Sequence, residues 1–229
     1  MKKNCRMSLI ICSAFIFLIS CSTSKEKTSW YKVYTDQGLM VVNSDSASIK
    51  VNLRYSTTDN FIGKDVYGDL EEAYLQPEAL SKLYNAAEYL NELHPELRLL
   101  IWDAARPRRI QQVLWDQVEI PLPERAQYVA NPETGSIHNY GAAIDLTLAD
   151  SLGNPLDMGT DYDDFNEVAH IDKEQELIEN KLLTELQVKN RIILRSVMTK
   201  AGFIPVRTEW WHFDAFSRTE TKSRFKIVE

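Results

Sequence analysis

Cysteine placement limits how this chain can be stabilised. All three cysteines, Cys5, Cys12 and Cys21, lie within the first 21 of 229 residues. The rest of the chain therefore has no thiol for a disulfide, a thiolate metal site or a cysteine nucleophile. A hydrophobic core has to hold it together, and roughly 200 residues suffice for one domain of common size. We predict a single domain at residues 30–229.

The N-terminus has the pattern of a bacterial signal peptide. Basic residues precede an apolar stretch at 7–19 that is too short to span a bilayer. The run Leu18-Ile19-Ser20-Cys21 resembles a lipobox, in which the chain is cut before the cysteine and the cysteine receives a lipid. We therefore predict a signal peptide at 1–20, a lipidated Cys21 and a polar tether at 21–29.

This segment predicts that the domain is exported and lipid-anchored to the cell envelope through Cys21. An uncleaved N-terminal anchor is the alternative, and it also leaves the domain outside the cytoplasm. Ser22 stands where an aspartate would favour retention in the inner membrane, which slightly favours the outer membrane.

The charge of the chain argues against one class of partner. The formal net charge is -7 at pH 7. Such an excess of acidic residues lacks the basic footprint that nucleic-acid binding requires. We therefore predict no nucleic-acid partner, and a small-molecule or cell-wall substrate fits the composition better.

Hydrophobic periodicity predicts a mixture of strands and helices. Pro77 suits the first position of a helix that Pro95 stops, and Gly202 ends the last helical segment. The predicted strands are 49–55, 97–102, 142–148, 203–206 and 210–216, and the predicted helices are 77–93, 107–118 and 174–201. These elements are interspersed without regular βαβ spacing. We therefore predict the α+β class, with a small antiparallel sheet on which helices pack.

The first candidate site segment runs from Ser136 to Asp145. It places His138 seven residues before Asp145, with Gly141 between them. A histidine and an aspartate at this spacing are common, so the pair alone indicates little. The glycine and the small residues after it matter more, because they allow close backbone packing where two side chains must converge on one ion.

The second candidate segment is Glu209-Trp210-Trp211-His212-Phe213. Here a carboxylate lies three residues before an imidazole, among aromatic side chains that would exclude water and strengthen charge interactions. A regular strand would direct Glu209 and His212 to opposite faces. We therefore predict a bulge or bend here if both residues serve one site.

Together the two segments contain the ligand types of a catalytic zinc. His138, Asp145 and His212 would leave the fourth position for water, and a nearby carboxylate that does not bind the metal makes a hydrolase arrangement. The chain has four histidines. We interpret His94 as a helix-end residue and His170 as a surface residue or a donor behind the site. Taken alone, these residues leave a metal site and a chance grouping equally open.

Further motifs extend this pattern over most of the mature chain. They are Asn52-Leu53-Arg54-Tyr55, Asp59-Asn60-Phe61, Gly63-Lys64, Trp102-Asp103-Ala104-Ala105-Arg106-Pro107, Asp145-Leu146-Thr147-Leu148, Met158-Gly159 and Leu194-Arg195-Ser196-Val197-Met198. With the two site segments, they resemble the VanX-type D-alanyl-D-alanine dipeptidases, within the zinc D,D-peptidases that act on peptidoglycan. So many motifs in the same order are far more specific than a zinc triad.

The resemblance implies one zinc ion per chain, bound at the sheet by His138, Asp145 and His212. It implies that Glu209 is the general base, which takes a proton from water and returns it to the leaving amine. Arg106 falls where the family has an arginine that stabilises the oxyanion, a role suited to a fixed guanidinium.

The resemblance also implies residues that recognise the substrate. Asp163 aligns with the family's candidate for binding the free ammonium of the dipeptide, and Asp161 and Asp164 are adjacent alternatives. Tyr55 and Ser136 occupy positions that line the family's substrate pocket. Each of these two could equally be a packing or turn residue.

The implied activity is zinc-dependent hydrolysis of D-Ala-D-Ala to two D-alanines. Resistance-associated members of the family work in the cytoplasm, so export favours cell-wall turnover or salvage over glycopeptide resistance. A D,D- or L,D-carboxypeptidase acting on longer peptidoglycan stem peptides is the alternative with the same chemistry. A non-catalytic module that binds cell-wall fragments is the alternative of another class, and an open fourth zinc position argues against it.

Overall fold

The computed structural model describes residues 29–44 and 48–229. The predicted signal peptide, Cys21 and the predicted tether as far as residue 28 lie outside the described residues. The described helices are α1 (Trp30–Thr35), α2 (Pro77–Leu93), α3 (Arg108–Gln117), α4 (Glu174–Glu179), α5 (Glu185–Lys200) and α6 (Arg218–Arg224). None of these helices is long and apolar enough to cross a membrane.

The strands form two sheets within the described part of the chain. They are β1 (Met40–Val41), β2 (Ile49–Val51), β3 (Tyr74–Leu75), β4 (Arg98–Asp103), β5 (Ala143–Ala149), β6 (Ile204–Val206) and β7 (Glu209–Asp214). Five strands form a sheet in the order β2-β4-β5-β7-β6, in which only the β2–β4 pair is parallel. β1 and β3 form a separate antiparallel pair. The predicted α+β class is thus confirmed.

Helices α2 and α5 contact each other and the central strands, so they cover one face of the five-stranded sheet. α2 begins at Pro77 as predicted, and His94 is its C-cap. Its buried residues recur at the three- or four-residue spacing of one helix face, and they are Ala79, Leu80, Leu83, Ala86, Ala87 and Leu90. In β5, the alternation of a strand puts Ile144, Leu146 and Leu148 on one face and Asp145 on the other.

The prediction of one helix at 174–201 is wrong in one respect, because the structure divides this segment into α4 and α5. Lys181 lies in the break and has a left-handed backbone, with φ of 60°. Thr184 then caps α5. Its hydroxyl accepts a hydrogen bond from the Gln187 N–H at 3.3 Å, and the Gln187 side chain accepts one from the Thr184 N–H at 2.8 Å. This capping box starts a new helix although the hydrophobic period continues.

The predicted strand at 49–55 is shorter in the structure. β2 contains only its first three residues, and Arg54–Ser56 forms a 3-10 helix. The carbonyl of Tyr55 accepts hydrogen bonds from the N–H groups of Val66 and Tyr67 at 2.9 and 3.0 Å. These contacts take Tyr55 out of the sheet, and a local pattern cannot reveal them because they join residues distant in sequence.

Candidate active site

Three neighbouring strands place polar residues on one face of the sheet. His212 of β7 lies directly opposite Asp145 of β5, and Asp103 of β4 lies opposite Asp145 on its other side. A register shift after Ile101 precedes the Asp103 pairing. Residues directly opposite each other in an antiparallel pair share a face with their side chains close together. Strand register therefore brings these three side chains into one group.

His138 reaches the same group from a short 3-10 helix, Ile137–Tyr140. Ser136 caps this helix: its hydroxyl accepts from the His138 N–H at 3.3 Å, and the Asn139 side chain accepts from the Ser136 N–H at 2.7 Å. The helix ends at Gly141, whose φ is 65° and where a Cβ atom would lie 2.5 Å from a leucine side chain. Only glycine fits there without strain, so the predicted importance of Gly141 has a steric cause.

The side chains of His138, Asp145 and His212 converge closely. His138 Nε2 lies 3.1 Å from His212 Nδ1 and 3.3 Å from Asp145 Oδ2, and His212 Nδ1 lies 2.9 Å from Asp145 Oδ1. One ligand atom from each residue lies within 4.8 Å of the other two. We call these three residues the ligand cluster.

The outer partners of the two imidazoles determine which nitrogens carry protons. His138 Nδ1 lies 2.7 Å from the carbonyl oxygen of Ala104, which can only accept, and His212 Nε2 lies 2.9 Å from a carboxylate oxygen of Asp214. When these outer nitrogens donate and both imidazoles are neutral, the two facing nitrogens carry lone pairs. A metal-binding histidine typically donates its other N–H in this way. The donor set of two imidazoles and one carboxylate therefore fits a divalent metal ion with an open position.

Charge also favours a cation at the ligand cluster. Burial raises the pKa of Asp145. The charges of His138 and His212 and their hydrogen bonds to the carboxylate outweigh the effect of burial, and they hold that pKa below its usual value. Burial lowers the pKa of His212, but hydrogen bonds to Asp145 and Asp214 outweigh it and raise that pKa well above its usual value. The two carboxylates thus attract positive charge to this position, as a proton or as a metal ion.

Glu209 lies beside the ligand cluster because β7 is irregular. In the β6–β7 pair, Pro205 is opposite Phe213 but Val206 is opposite Glu209, so three residues of β7 are extra. The predicted bulge is confirmed, and Glu209 and His212 both line one cavity. A carboxylate oxygen of Glu209 lies 3.8 Å from His212 Nδ1. Burial raises the pKa of Glu209, which suits a group that must accept and return a proton.

Arg106 is buried and held from several sides. Its guanidinium donates to Asp103 Oδ2 at 2.8 and 2.5 Å and to Gln111 at 3.0 Å, and it lies 3.6 Å from Asp145 Oδ2. The guanidinium also stacks over the Tyr55 ring, 5.0 Å from its centroid. The predicted oxyanion-stabilising residue is therefore a fixed cation in contact with the ligand cluster.

Among the three candidate carboxylates for an ammonium, only Asp163 lines the cavity of the ligand cluster. It has a left-handed backbone with φ of 56°, and it accepts a hydrogen bond from the Tyr55 hydroxyl at 2.7 Å. Burial raises the pKa of Asp163 well above its usual value. Asp161 has a 72% exposed side chain near Arg54, and Asp164 accepts hydrogen bonds from Asn166.

One cavity of about 250 Å³ connects the site residues. All eight residues that the sequence indicated for catalysis, metal binding or substrate binding line it, namely Tyr55, Arg106, Ser136, His138, Asp145, Asp163, Glu209 and His212. His94 and His170 do not line this cavity, as their interpretation as residues outside the ligand set requires.

Several residues at the site were missed from the sequence. Sequence patterns assigned no role to Asp103. They also assigned none to Tyr162, which donates a hydrogen bond to Asp145 Oδ2 at 2.9 Å. Asp214 follows His212 by two residues, so strand alternation could have placed it on the same face. Gln111 and Arg218 also line the cavity, and no local signal marks them.

Comparison with known proteins places the chain in one family. Residues 35–227 match the peptidase M15 family, described as D-ala-D-ala dipeptidase. The D-alanyl-D-alanine dipeptidase of Escherichia coli K12 is 34% identical over 166 residues, which cover 72% of this chain and 78% of that protein. The D-alanyl-D-alanine dipeptidase of Enterococcus faecalis V583 is 26% identical over 192 residues, which cover 78% of this chain and 91% of that protein. The protein of that name from Streptomyces coelicolor is 30% identical over 182 residues, or 73% of this chain and 86% of its own length.

Proposed function

Since this chain belongs to the peptidase M15 family of D-Ala-D-Ala dipeptidases and is a metallopeptidase, we propose that it hydrolyses D-Ala-D-Ala to two D-alanines. The proposed cofactor is one zinc ion per chain, held by His138, Asp145 and His212. The proposed general base is Glu209, and Arg106 is the proposed stabiliser of the oxyanion.

The arrangement of the two imidazoles carries this proposal. Their facing nitrogens lie 3.1 Å apart, and both face inward because the outer nitrogens have acceptors of their own. Each facing nitrogen also lies within 3.3 Å of a carboxylate oxygen of Asp145, so three ligand atoms surround one position. A zinc ion there would displace the proton that otherwise binds at His212, since zinc prefers neutral imidazole and carboxylate ligands of this kind.

Glu209 is suited to move the proton. A zinc ion at this site would supply the positive charge that polarises the scissile carbonyl and makes water more acidic. Glu209 accepts a proton from the attacking water, and it delivers that proton to the amine nitrogen as the C–N bond breaks. Its raised pKa supports this role, because it makes the carboxylate a stronger base and keeps the accepted proton on the carboxyl group until the amine takes it.

Two further residues match the charges of the substrate during the reaction. Asp163, held by the Tyr55 hydroxyl, binds the free ammonium. Burial destabilises the charged form of this half-buried carboxyl group, so a cationic partner stabilises the carboxylate strongly. Arg106 is held by Asp103 and Gln111, so its charge is already positioned when negative charge develops on the carbonyl oxygen.

Charge recognition favours a free dipeptide over an acylated peptide, because Asp163 lines the cavity as a partner for a free ammonium. A D,D- or L,D-carboxypeptidase would accept an acylated stem pentapeptide. We expect the protein to cleave D-Ala-D-Ala and to reject the acylated pentapeptide, because the blocked amine cannot pair with Asp163. Faster cleavage of the pentapeptide would make the carboxypeptidase the better assignment.

Substitution of Glu209 tests the activity and the role of the base together. Glu209→Gln should lower kcat for D-Ala-D-Ala by about 10²- to 10⁴-fold while one zinc per chain remains bound. Glu88→Gln, an exposed change on α2, is the matched control and should have wild-type kcat. Wild-type turnover by Glu209→Gln would contradict the proposed base. A wild-type protein that holds zinc without cleaving the dipeptide would favour a binding module.

The location of the enzyme is a further part of the proposal, and it rests on the N-terminal sequence. The protein is exported, anchored through a lipid on Cys21, and acts in turnover or salvage of cell-wall D-Ala-D-Ala. Radiolabelled palmitate should enter the wild type and not Cys21→Ala. Equal labelling of the two would exclude Cys21 as the lipid attachment site. A deletion strain with unchanged use of external D-Ala-D-Ala would contradict the salvage role.

A further inference from the structure

Arg218 lines the same cavity as the ligand cluster and Glu209, and the mechanism above does not use it. Strand β7 ends at Asp214, and the chain turns directly into α6, whose first residue is Arg218. The strand that carries His212 therefore also positions this arginine.

The Arg218 guanidinium is anchored but keeps most of its hydrogen-bonding capacity. One of its nitrogens donates to the carbonyl oxygen of Gly135 at 2.7 Å. Gly135 immediately precedes Ser136, the cap of the helix that carries His138. Arginine has five N–H donors, so the remaining ones are available to a ligand.

The two cavity arginines differ in their charge partners. Arg106 forms a close ion pair with the buried carboxylate of Asp103. Among the described residues, no carboxylate oxygen lies within 4.0 Å of the Arg218 guanidinium. Its anchoring partner is a neutral carbonyl, so its positive charge is not balanced by a direct ion pair.

A free dipeptide carries a carboxylate as well as an ammonium, and the cavity has a candidate partner for each. Asp163 and Arg218 line the same cavity without forming an ion pair with each other. We propose that Arg218 binds the α-carboxylate of the dipeptide, an inference that rests on the proposed function. A guanidinium suits this role because two parallel N–H groups match the two oxygens of a carboxylate.

The proposal is tested by removing the charge from the enzyme and from the substrate in turn. The substrates are D-Ala-D-Ala and its C-terminal amide, and the variants are Arg218→Ala, Arg218→Gln and Arg218→Lys. Glutamine keeps a donor for the Gly135 carbonyl without the charge, whereas lysine keeps the charge without the planar fork. Lys222→Ala on the same helix is the matched control, because it also removes one exposed positive charge. Circular dichroism melting verifies that each variant is folded.

The expected result is a change in preference rather than a general loss of rate. The wild type and Lys222→Ala should prefer the acid over the amide. Arg218→Ala and Arg218→Gln should lose about 10- to 100-fold in kcat/KM for the acid and little for the amide, so that the preference disappears. Arg218→Lys should retain part of it.

Two results would overturn the inference while leaving the dipeptidase activity established. One is a wild-type preference for the acid in both Arg218→Ala and Arg218→Gln, and the other is equal cleavage of acid and amide by the wild type. A wild type that cleaves neither substrate would overturn the proposed function, and this inference with it.

Discussion

The two halves of the cavity are built on different kinds of structure. The ligand cluster lies on paired strands and on a capped 3-10 helix, and His138 and Asp145 are only 2% and 3% exposed. On the substrate side, Asp163 lies on the irregular segment after β5, and Arg218 is an exposed residue at the start of a short helix.

The difference suits the role proposed for each half. Metal binding and proton transfer need fixed distances, and strand register with outer hydrogen bonds supplies them. The residues proposed to recognise the substrate lie on connecting segments, where residues can change without disturbing the sheet. We therefore expect changes in the ligand cluster to affect metal and rate together, and changes on the substrate side to affect mainly substrate preference.

The largest effect should come from the ligand cluster. His138→Ala should leave well below one zinc per chain and should reduce D-Ala-D-Ala hydrolysis to background, because one of the three proposed ligands is lost. Metal analysis and the dipeptide assay on the same sample measure both. His170→Ala is the matched control, since this histidine lies outside the cavity, and it should bind zinc normally. Full zinc and activity in His138→Ala would contradict the ligand set.

A smaller effect is expected on the substrate side. Asp163→Asn should lower kcat/KM for D-Ala-D-Ala by about 10- to 100-fold, mainly through KM, because a charged hydrogen bond to the ammonium is lost. Zinc content should not change. Asp164→Asn, one residue away and outside the cavity, should behave as the wild type. If Asp163→Asn lost its zinc instead, the two halves of the cavity would not be separable.

A still smaller effect should come from Asp214, the outer hydrogen-bond partner of His212. Asp214→Asn should weaken zinc binding by about 10-fold, because the amide oxygen still accepts from His212 Nε2 but carries no charge. Competition with a chelator measures the affinity. An unchanged affinity would show that the orientation of His212 does not depend on the Asp214 charge.

The smallest effect should come from a residue far from the cavity. Thr184→Ala removes the cap of α5 and should lower the free energy of unfolding by ~1 kcal/mol. The dipeptidase rate should remain that of the wild type. Thr199→Ala, an exposed change within the same helix, should unfold at nearly the wild-type temperature. A loss of activity in folded Thr184→Ala would show that α5 is coupled to the site.

Much of the local structure could be predicted from the sequence. Helix α2 begins at Pro77 because proline suits a first helical turn. The irregularity of β7 could be predicted because Glu209 and His212 can serve one site only if the strand departs from regular alternation. The boundary between α4 and α5 was missed because the hydrophobic period passes through it, although the capping residues Thr184 and Gln187 were visible in the sequence.

The chemistry of the site was determined by residue type, and its assembly by the tertiary structure. The sequence alone supplied two imidazoles, the carboxylates and an arginine, and ordered motifs assigned roles to them. Only long-range pairing could show that Asp145 lies opposite His212, that Asp163 rather than its acidic neighbours lines the cavity, and that Arg218 joins it. The reason is that side-chain type acts locally, whereas convergence depends on strand register and on hydrogen bonds between residues far apart in the chain.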